Sequence, residues 1–187
     1  MLSSSALTCR SVSDALQRAR DLLQDVTPLA ADCGQVCEGR CCQMTAESQG
    51  MLLFPGEEAL AQGFTCVPAQ GGRTLLVCDG LCDRATRPLA CRMFPLFPYV
   101  EEDGRVRAVY DPRAWRLCPL VQQHAHVPLR RDFVRAVRRA GRLLMRDAAC
   151  AAFLREQSEE IRDLNRLLPL AEARTPIMRR KVDIKGE

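Results

Sequence analysis

The chain has 187 residues, 47% of them hydrophobic, and a formal net charge of +4. A chain of this length buries roughly two-thirds of its unfolded surface on folding, so it does not need disulfides to hold a core. The charge is too small to indicate nucleic-acid binding, and no apolar run approaches the roughly 20 residues of a membrane-spanning helix. The first residues also lack the basic start and apolar stretch of a secretory signal. We therefore expect a soluble protein of the reducing cytoplasm.

The first third of the chain predicts two helices. Apolar residues at helical spacing predict one over 11–25, within an N-terminal region 1–32, with Ser11 or Ser13 as its cap. Residues 51–63 begin as a short apolar strand or turn and continue through Pro55 into a short helix that Gly63 ends.

The middle of the chain predicts short strands and broken segments. Residues 73–78 and 105–110 have the apolar pattern of strands. Three prolines interrupt 79–99 and leave room for at most one or two short helical turns between Cys82 and Cys91.

The C-terminal third is strongly helical. An apolar stripe over 128–168 predicts helix, with a break near Gly141 or near residue 155, and Pro169 is expected to end it. The tail 169–187 is expected to be solvated or frayed. The many arginines of this helix are more typical of its solvated face than of a nucleic-acid interface.

The cysteines give the strongest signal. There are eleven, and four of them crowd into the run CGQVCEGRCC at residues 33–42. This run lacks the apolar residues of a core strand, and disulfides are rare in a reducing cytoplasm. A metal site is therefore favoured over core packing or disulfides for this run, whereas Cys9 and Cys150 are typical buried cysteines and Cys66 is left open.

The cysteines divide into two groups of four. The upstream group is Cys33, Cys37, Cys41 and Cys42, and the downstream group is Cys78, Cys82, Cys91 and Cys118. Thiolates select zinc, copper(I) or iron–sulfur clusters over hard cations. Their spacing suits both zinc and iron–sulfur sites, so it does not decide between the two. Neighbouring side chains of an extended segment point to opposite sides, so Cys41 and Cys42 are expected to face different environments.

Several motifs together resemble one known family. They are Cys37-Glu38-Gly39-Arg40-Cys41-Cys42, the segment LLFPGEEA, the segment LCDRATRPLACRMFPLFP and the Leu-Cys-Pro at 117–119. This ordered set is similar to the YkgJ-type family, which is described as a zinc- or iron-chelating cysteine-cluster domain. The resemblance covers residues 33 to about 119 and leaves the helical third outside it.

The resemblance implies metal binding by cysteines. The metal ligands that it implies in this chain are Cys37, Cys41, Cys42, Cys82, Cys91 and Cys118. Cys33 and Cys78 also lie at positions suited to metal ligands. The resemblance also implies that Arg87, Pro88 and Arg92 brace the site. This chain departs from the family in spacing, since three residues separate Cys33 from Cys37 where many relatives have two. Some relatives are linked to flagellin lysine methylation, but no glycine-rich methyl-donor motif is present here, so that activity is not carried over.

Other chemistry has little support in the sequence. His124 and His126 could join a metal site if their loop folds back, although surface positions are more typical for such residues. Nothing resembles a nucleophile elbow or a phosphate-binding loop. Whether the chain catalyses a reaction is left open.

These observations predict one mainly helical domain over 1–187 with short irregular β segments. In it, a small cysteine-rich region, 33–119, is ordered by one or two metal centres and packs against the C-terminal helices. The predicted function is metal binding through an iron–sulfur or zinc centre, in an accessory or protein-modifying factor. The alternatives are a structural zinc module that contacts a partner protein, and a thiol redox switch at Cys41 and Cys42.

Overall fold

The structure is a computed structural model that describes residues 12–31, 33–43, 50–78, 82–122 and 128–171. Its helices are α1 (Asp14–Leu22), α2 (Cys33–Cys37), α3 (Leu89–Met93), α4 (Pro119–Gln122), α5 (Arg131–Leu144) and α6 (Ala148–Ala171). Its strands are β1 (Met51–Leu52), β2 (Thr65–Ala69), β3 (Arg73–Val77), β4 (Leu96–Val100) and β5 (Val106–Tyr110). Single turns of 3-10 helix form over Arg40–Cys42, Glu57–Leu60, Gln70–Gly72 and Pro112–Arg116.

The first predicted helix is confirmed as α1. Of its two candidate caps, Ser13 is the one used, because its side-chain oxygen accepts a hydrogen bond of 3.2 Å from the backbone N–H of Leu16. Leu16 and Ala19 are fully buried, so one face of α1 lies in the core.

The first sheet has three antiparallel strands in the order β1-β3-β2. The strand predicted over 73–78 is confirmed as β3, which pairs on one side with β1 and on the other with β2. One face of this sheet covers a small core of Leu53, Ala61 and Leu76, against which Cys66 and Cys78 pack.

The second sheet is the antiparallel pair β4–β5, which belongs to the main core. The strand predicted over 105–110 is confirmed as β5. Its partner β4 was not predicted, because Pro95 and Pro98 interrupt the strand signal. A strand with a single neighbour tolerates Pro98, which needs no ladder N–H on its open side. The main core is formed by this pair together with α1, α3, α5 and α6.

The helical C-terminal third is confirmed as α5 and α6, but its break and its end differ from the prediction. The break falls at Met145–Asp147 rather than near Gly141 or residue 155, and α6 continues past Pro169 to Ala171. Gly141 has a packing role instead, since a Cβ there would lie 2.5 Å from Pro98 Cβ and 2.7 Å from Val106 Cγ1. Its missing side chain lets α5 approach the β4–β5 pair closely.

The predicted fold class is wrong. The chain is mixed, with two small antiparallel sheets beside its helices, rather than mainly helical. The region 33–119 is also not an irregular segment that needs a metal for its order. It contains the five strands that the structure describes, and Leu89, Met93 and Leu96 place it inside the main core. The strands were underestimated because they are short and interrupted by prolines.

Within the described ranges, every helix is too short or too polar to cross a membrane.

Candidate metal centre

The cysteine run folds as two short helical pieces rather than as the loop that its composition predicts. Cys33 and Cys37 begin and end α2, and Cys41 and Cys42 lie in the 3-10 turn that follows. Between the two pieces, Glu38 and Gly39 adopt left-handed backbone angles, with φ of 54° and 66°. The chain reverses there, as at a helix end, and the reversal turns Cys41 and Cys42 back into the molecule.

Five of the eight predicted ligands line one small cavity. It has a volume of about 50 Å³ and is lined by Cys41, Cys42, Cys78, Cys82 and Cys91. Apolar side chains, including Phe64 and Phe94, form much of the remaining wall. Three segments therefore bring their thiols to the same place: the run itself, the stretch after β3 with Cys78 and Cys82, and α3 with Cys91.

The two thiols of the adjacent pair have different neighbours. Their Sγ atoms lie 3.9 Å apart. Cys41 is also close enough to Cys37 and Cys33 for their charges to act on it. Cys42 instead interacts with Cys82, and its charge acts on Cys91 as well.

The three remaining predicted ligands lie beside the cavity rather than in its wall. Cys118 is buried in a small core with Ala114 and Val121, and Cys33 packs against the same core. Cys37 is the thiol whose charge acts on Cys118. These three cysteines form a second group, next to Cys41.

The electrostatics of the adjacent pair favour a thiolate at Cys42. Its hydrogen bond with Cys41 lowers the pKa of Cys42 to about 6 despite burial, and the Arg87 guanidinium and a hydrogen bond with Cys82 act in the same direction. The same hydrogen bond raises the pKa of Cys41, with burial adding to the effect. Cys41 therefore keeps its proton and donates it toward the Cys42 sulfur.

Burial opposes ionisation of the other thiols. It raises the pKa of Cys91, and the charges of Cys42 and Glu57 add to this effect. Burial also raises the pKa of Cys82, although a hydrogen bond from Arg87 works against it. The positive charge of Arg87 therefore acts on both Cys42 and Cys82.

Arg84 and Arg92 support the site indirectly. Arg84 donates to the carbonyl oxygens of Leu23, Gln24 and Val26, just after α1, at 2.8–3.3 Å. Arg92 is buried and donates to the carbonyl oxygens of residues 20, 84, 85 and 87 and to the Gln24 side chain. These bonds fasten the segment 84–87, which carries Arg87, to the end of α1.

Glu57 is a supporting residue that the sequence did not reveal. Its carboxylate is buried and accepts hydrogen bonds from Arg20 Nη1 at 2.8 Å, from Leu89 N at 2.5 Å and from Phe54 N at 3.3 Å. It therefore fixes the first residue of α3, the helix that carries Cys91. The only sequence signal was an acidic residue in a predicted helical turn, which is typical of many exposed positions.

The donor chemistry suits a thiophilic metal, but the thiols do not converge on a common point. Among the residues that the structure describes, no group of three or more His, Cys, Asp or Glu side chains is placed to hold a metal ion. Cys66 and Cys150 do not line the cavity, and Cys150 instead contacts the Pro55 carbonyl oxygen at 3.8 Å. Cys9, His124 and His126 lie outside the described residues.

Comparison of the chain with protein families, with curated proteins and with solved structures finds no match in any of the three. The resemblance to the YkgJ-type family therefore stays a prediction, based on the motifs quoted above.

Proposed function

We propose that this chain is a metal-binding protein whose cysteine thiolates hold a zinc ion or an iron–sulfur cluster. The observation that carries the proposal is that five thiols from three separate segments line one cavity. An ordinary core has no reason to collect thiols in this way, since isolated buried cysteines behave as small apolar side chains.

The arrangement supports two sets of ligands. Cys42, Cys78, Cys82 and Cys91 would form the set at the cavity, and Cys33, Cys37, Cys41 and Cys118 would form the neighbouring one. Binding at either set requires the thiols to turn inward, which rotation about χ1 allows for a cysteine side chain.

The local charges favour the cavity set as the first site. A metal displaces the thiol protons, so affinity rises where a thiolate is already favoured. Cys42 meets this condition, and Arg87 places a positive charge beside the thiolates. A four-thiolate centre of either metal carries a net charge near −2, which is costly to bury without such a cation.

One experiment distinguishes a zinc centre from an iron–sulfur centre. The chain is purified under anaerobic conditions, and its metal content and visible absorption spectrum are measured. An iron–sulfur centre gives a brown protein with visible absorbance and bound iron, whereas a zinc centre gives a colourless protein with stoichiometric zinc. A protein without bound zinc or iron contradicts the proposal.

The 3.9 Å separation of the Cys41 and Cys42 sulfurs favours a thiol redox switch as a second candidate function. In that reaction hydrogen peroxide oxidises one thiol to a sulfenic acid with release of water, and the other thiol displaces a second water to form the disulfide. Peroxide treatment of metal-free protein followed by peptide mass spectrometry tests it. The candidate fails if peroxide gives no disulfide that includes Cys41 or Cys42.

A further inference from the structure

A second cavity lies between β5 and α5. Its volume is about 510 Å³, and none of its lining residues belongs to the thiol cavity. We call it the arginine cleft, because Arg105, Arg107, Arg135, Arg138 and Arg142 all line it. One acidic side chain, Glu101, lines it as well.

The fold explains why these arginines meet. Arg135, Arg138 and Arg142 are spaced by three and four residues along α5, so they lie on one face of the helix. Arg105 directly precedes β5 and Arg107 is its second residue, so both lie on the face of the strand opposite to Val106. The close contact of Gly141 with Val106 holds the helix against this strand, so the helix arginines lie along the same cleft that Arg105 and Arg107 border.

The positive charge of the cleft is only partly compensated. Arg105 lies 2.7 Å from Asp103 and 3.3 Å from Glu101, and Arg107 lies 3.2 Å from Glu101. Within the described ranges, Arg135, Arg138 and Arg142 form no ion pair, and the buried Nε of Arg138 has no hydrogen-bond partner. A buried donor without an acceptor is costly, so an acceptor from a ligand would be favourable there.

The backbone adds donors at the same edge. In an antiparallel pair, alternate residues turn their N–H groups away from the partner strand. The Glu101 N–H donates to Arg105 O at 2.8 Å, and the outward N–H of Val100 donates to Ser158 Oγ at 2.9 Å. This alternation turns the N–H groups of Val106 and Ala108 away from β4, and both residues line the cleft.

We propose that the arginine cleft binds a small organic phosphate with two or more phosphate groups, such as a nucleoside di- or triphosphate. Guanidinium groups and backbone N–H groups are the donors that phosphate oxygens prefer. The volume falls in the range of small-molecule sites. Val106, Ala108, Val134 and Met145 provide an apolar floor for the rest of the ligand.

Isothermal titration calorimetry of the full chain at low salt tests the proposal, with pyrophosphate, ATP and uncharged adenosine as the probes. We expect one site for pyrophosphate and for ATP, and no binding of adenosine. Arg138→Gln combined with Arg142→Gln should weaken ATP binding at least about tenfold, because each removes charge-assisted hydrogen bonds. The matched control is Arg139→Gln, because Arg139 is an exposed residue of the same helix outside the cleft. Its affinity for ATP should stay within about twofold of that of the unmodified chain.

The exposed Arg135→Gln variant gives the same test if the double variant does not fold, and it should weaken ATP binding several-fold. The proposal is overturned if neither phosphate binds, or if Arg139→Gln weakens binding as much as the cleft variants do. It is also overturned if single-stranded RNA binds and ATP does not displace it, since the arginines then form a nucleic-acid surface.

Discussion

Arg20 and Glu57 form a buried ion pair of 2.8 Å that joins α1 to the segment leading toward the thiol cavity. Both side chains are at least 90% buried, and the same carboxylate also holds the first residue of α3. Burial raises the pKa of Glu57, whereas its hydrogen bonds with Leu89 and Arg20 lower it. One acidic residue thus links the N-terminal helix to the helix that carries Cys91.

Replacement of Glu57 by alanine should therefore destabilise the protein strongly. Glu57→Ala leaves the Arg20 guanidinium buried without its carboxylate, a change that typically costs about 3–5 kcal/mol. The free energy of unfolding in urea, followed by circular dichroism, measures this loss. Glu58→Ala is the matched control, because Glu58 is adjacent and only half-buried, and we expect a loss below about 1 kcal/mol. Equal losses in the two variants would show that the buried pair has no special role.

Gly141 should not tolerate a side chain. In most helices glycine to alanine is stabilising by about 1 kcal/mol. Here the new Cβ would lie 2.5 Å from Pro98 Cβ and 2.7 Å from Val106 Cγ1, so Gly141→Ala should instead destabilise by about 1–3 kcal/mol. Thermal unfolding measures the sign, and Arg139→Ala on the exposed face of α5 should change stability by less than about 0.5 kcal/mol. A higher melting temperature for Gly141→Ala would contradict this packing.

Cys42 should ionise well below an ordinary cysteine in the reduced, metal-free protein. Its alkylation by iodoacetamide should rise with pH through a midpoint of about 6, because the thiolate is the reactive form. Cys41→Ala removes the hydrogen bond that is the largest cause of the shift, so the midpoint should move toward the ordinary value of 9.0. The midpoint is the readout rather than the rate, since a less basic thiolate is also less nucleophilic.

Peptide mass spectrometry resolves the individual cysteines in that experiment. Cys66 serves as the internal control. Burial raises its pKa above 9.0, so the midpoint of its alkylation should lie above 9.0. A midpoint near 9 for Cys42 in both proteins would contradict the described electrostatics.

The sequence predicted elements whose signal is local. The cap at Ser13, the strand predicted over 73–78 and the apolar stripe of α5 each follow from side-chain type and spacing within a few residues. Strand β4 could not be predicted in this way. Its prolines argue against a strand. They are acceptable because, among the described strands, β4 pairs only with β5, so the other side of β4 needs no ladder hydrogen bonds.

The candidate site was likewise predictable only in part from the sequence. Crowding of thiols is visible in the sequence, and the eight predicted ligands include the five cysteines that line the cavity. Which thiols face one another depends on the reversal at Glu38 and Gly39 and on how α3 packs, both of which are tertiary features. The roles of Glu57 and Arg92 were hidden for the same reason, since each also bonds a residue far away along the chain: Leu89 lies 32 residues from Glu57, and Arg20 lies 72 residues from Arg92.

The central claim is that the cavity thiols bind a metal, and the metal content of matched cysteine variants tests it most directly. Cys42→Ser and Cys91→Ser remove cavity thiols, Cys41→Ser removes a thiol that both sets touch, and Cys66→Ser removes one outside the cavity. After anaerobic purification, we expect stoichiometric zinc or iron in the unmodified chain and in Cys66→Ser. The Cys42→Ser, Cys91→Ser and Cys41→Ser proteins should lose most of it while keeping their helical circular dichroism, because the main core does not depend on the cavity. Full metal content in all three variants, or none in the unmodified chain, would contradict the account.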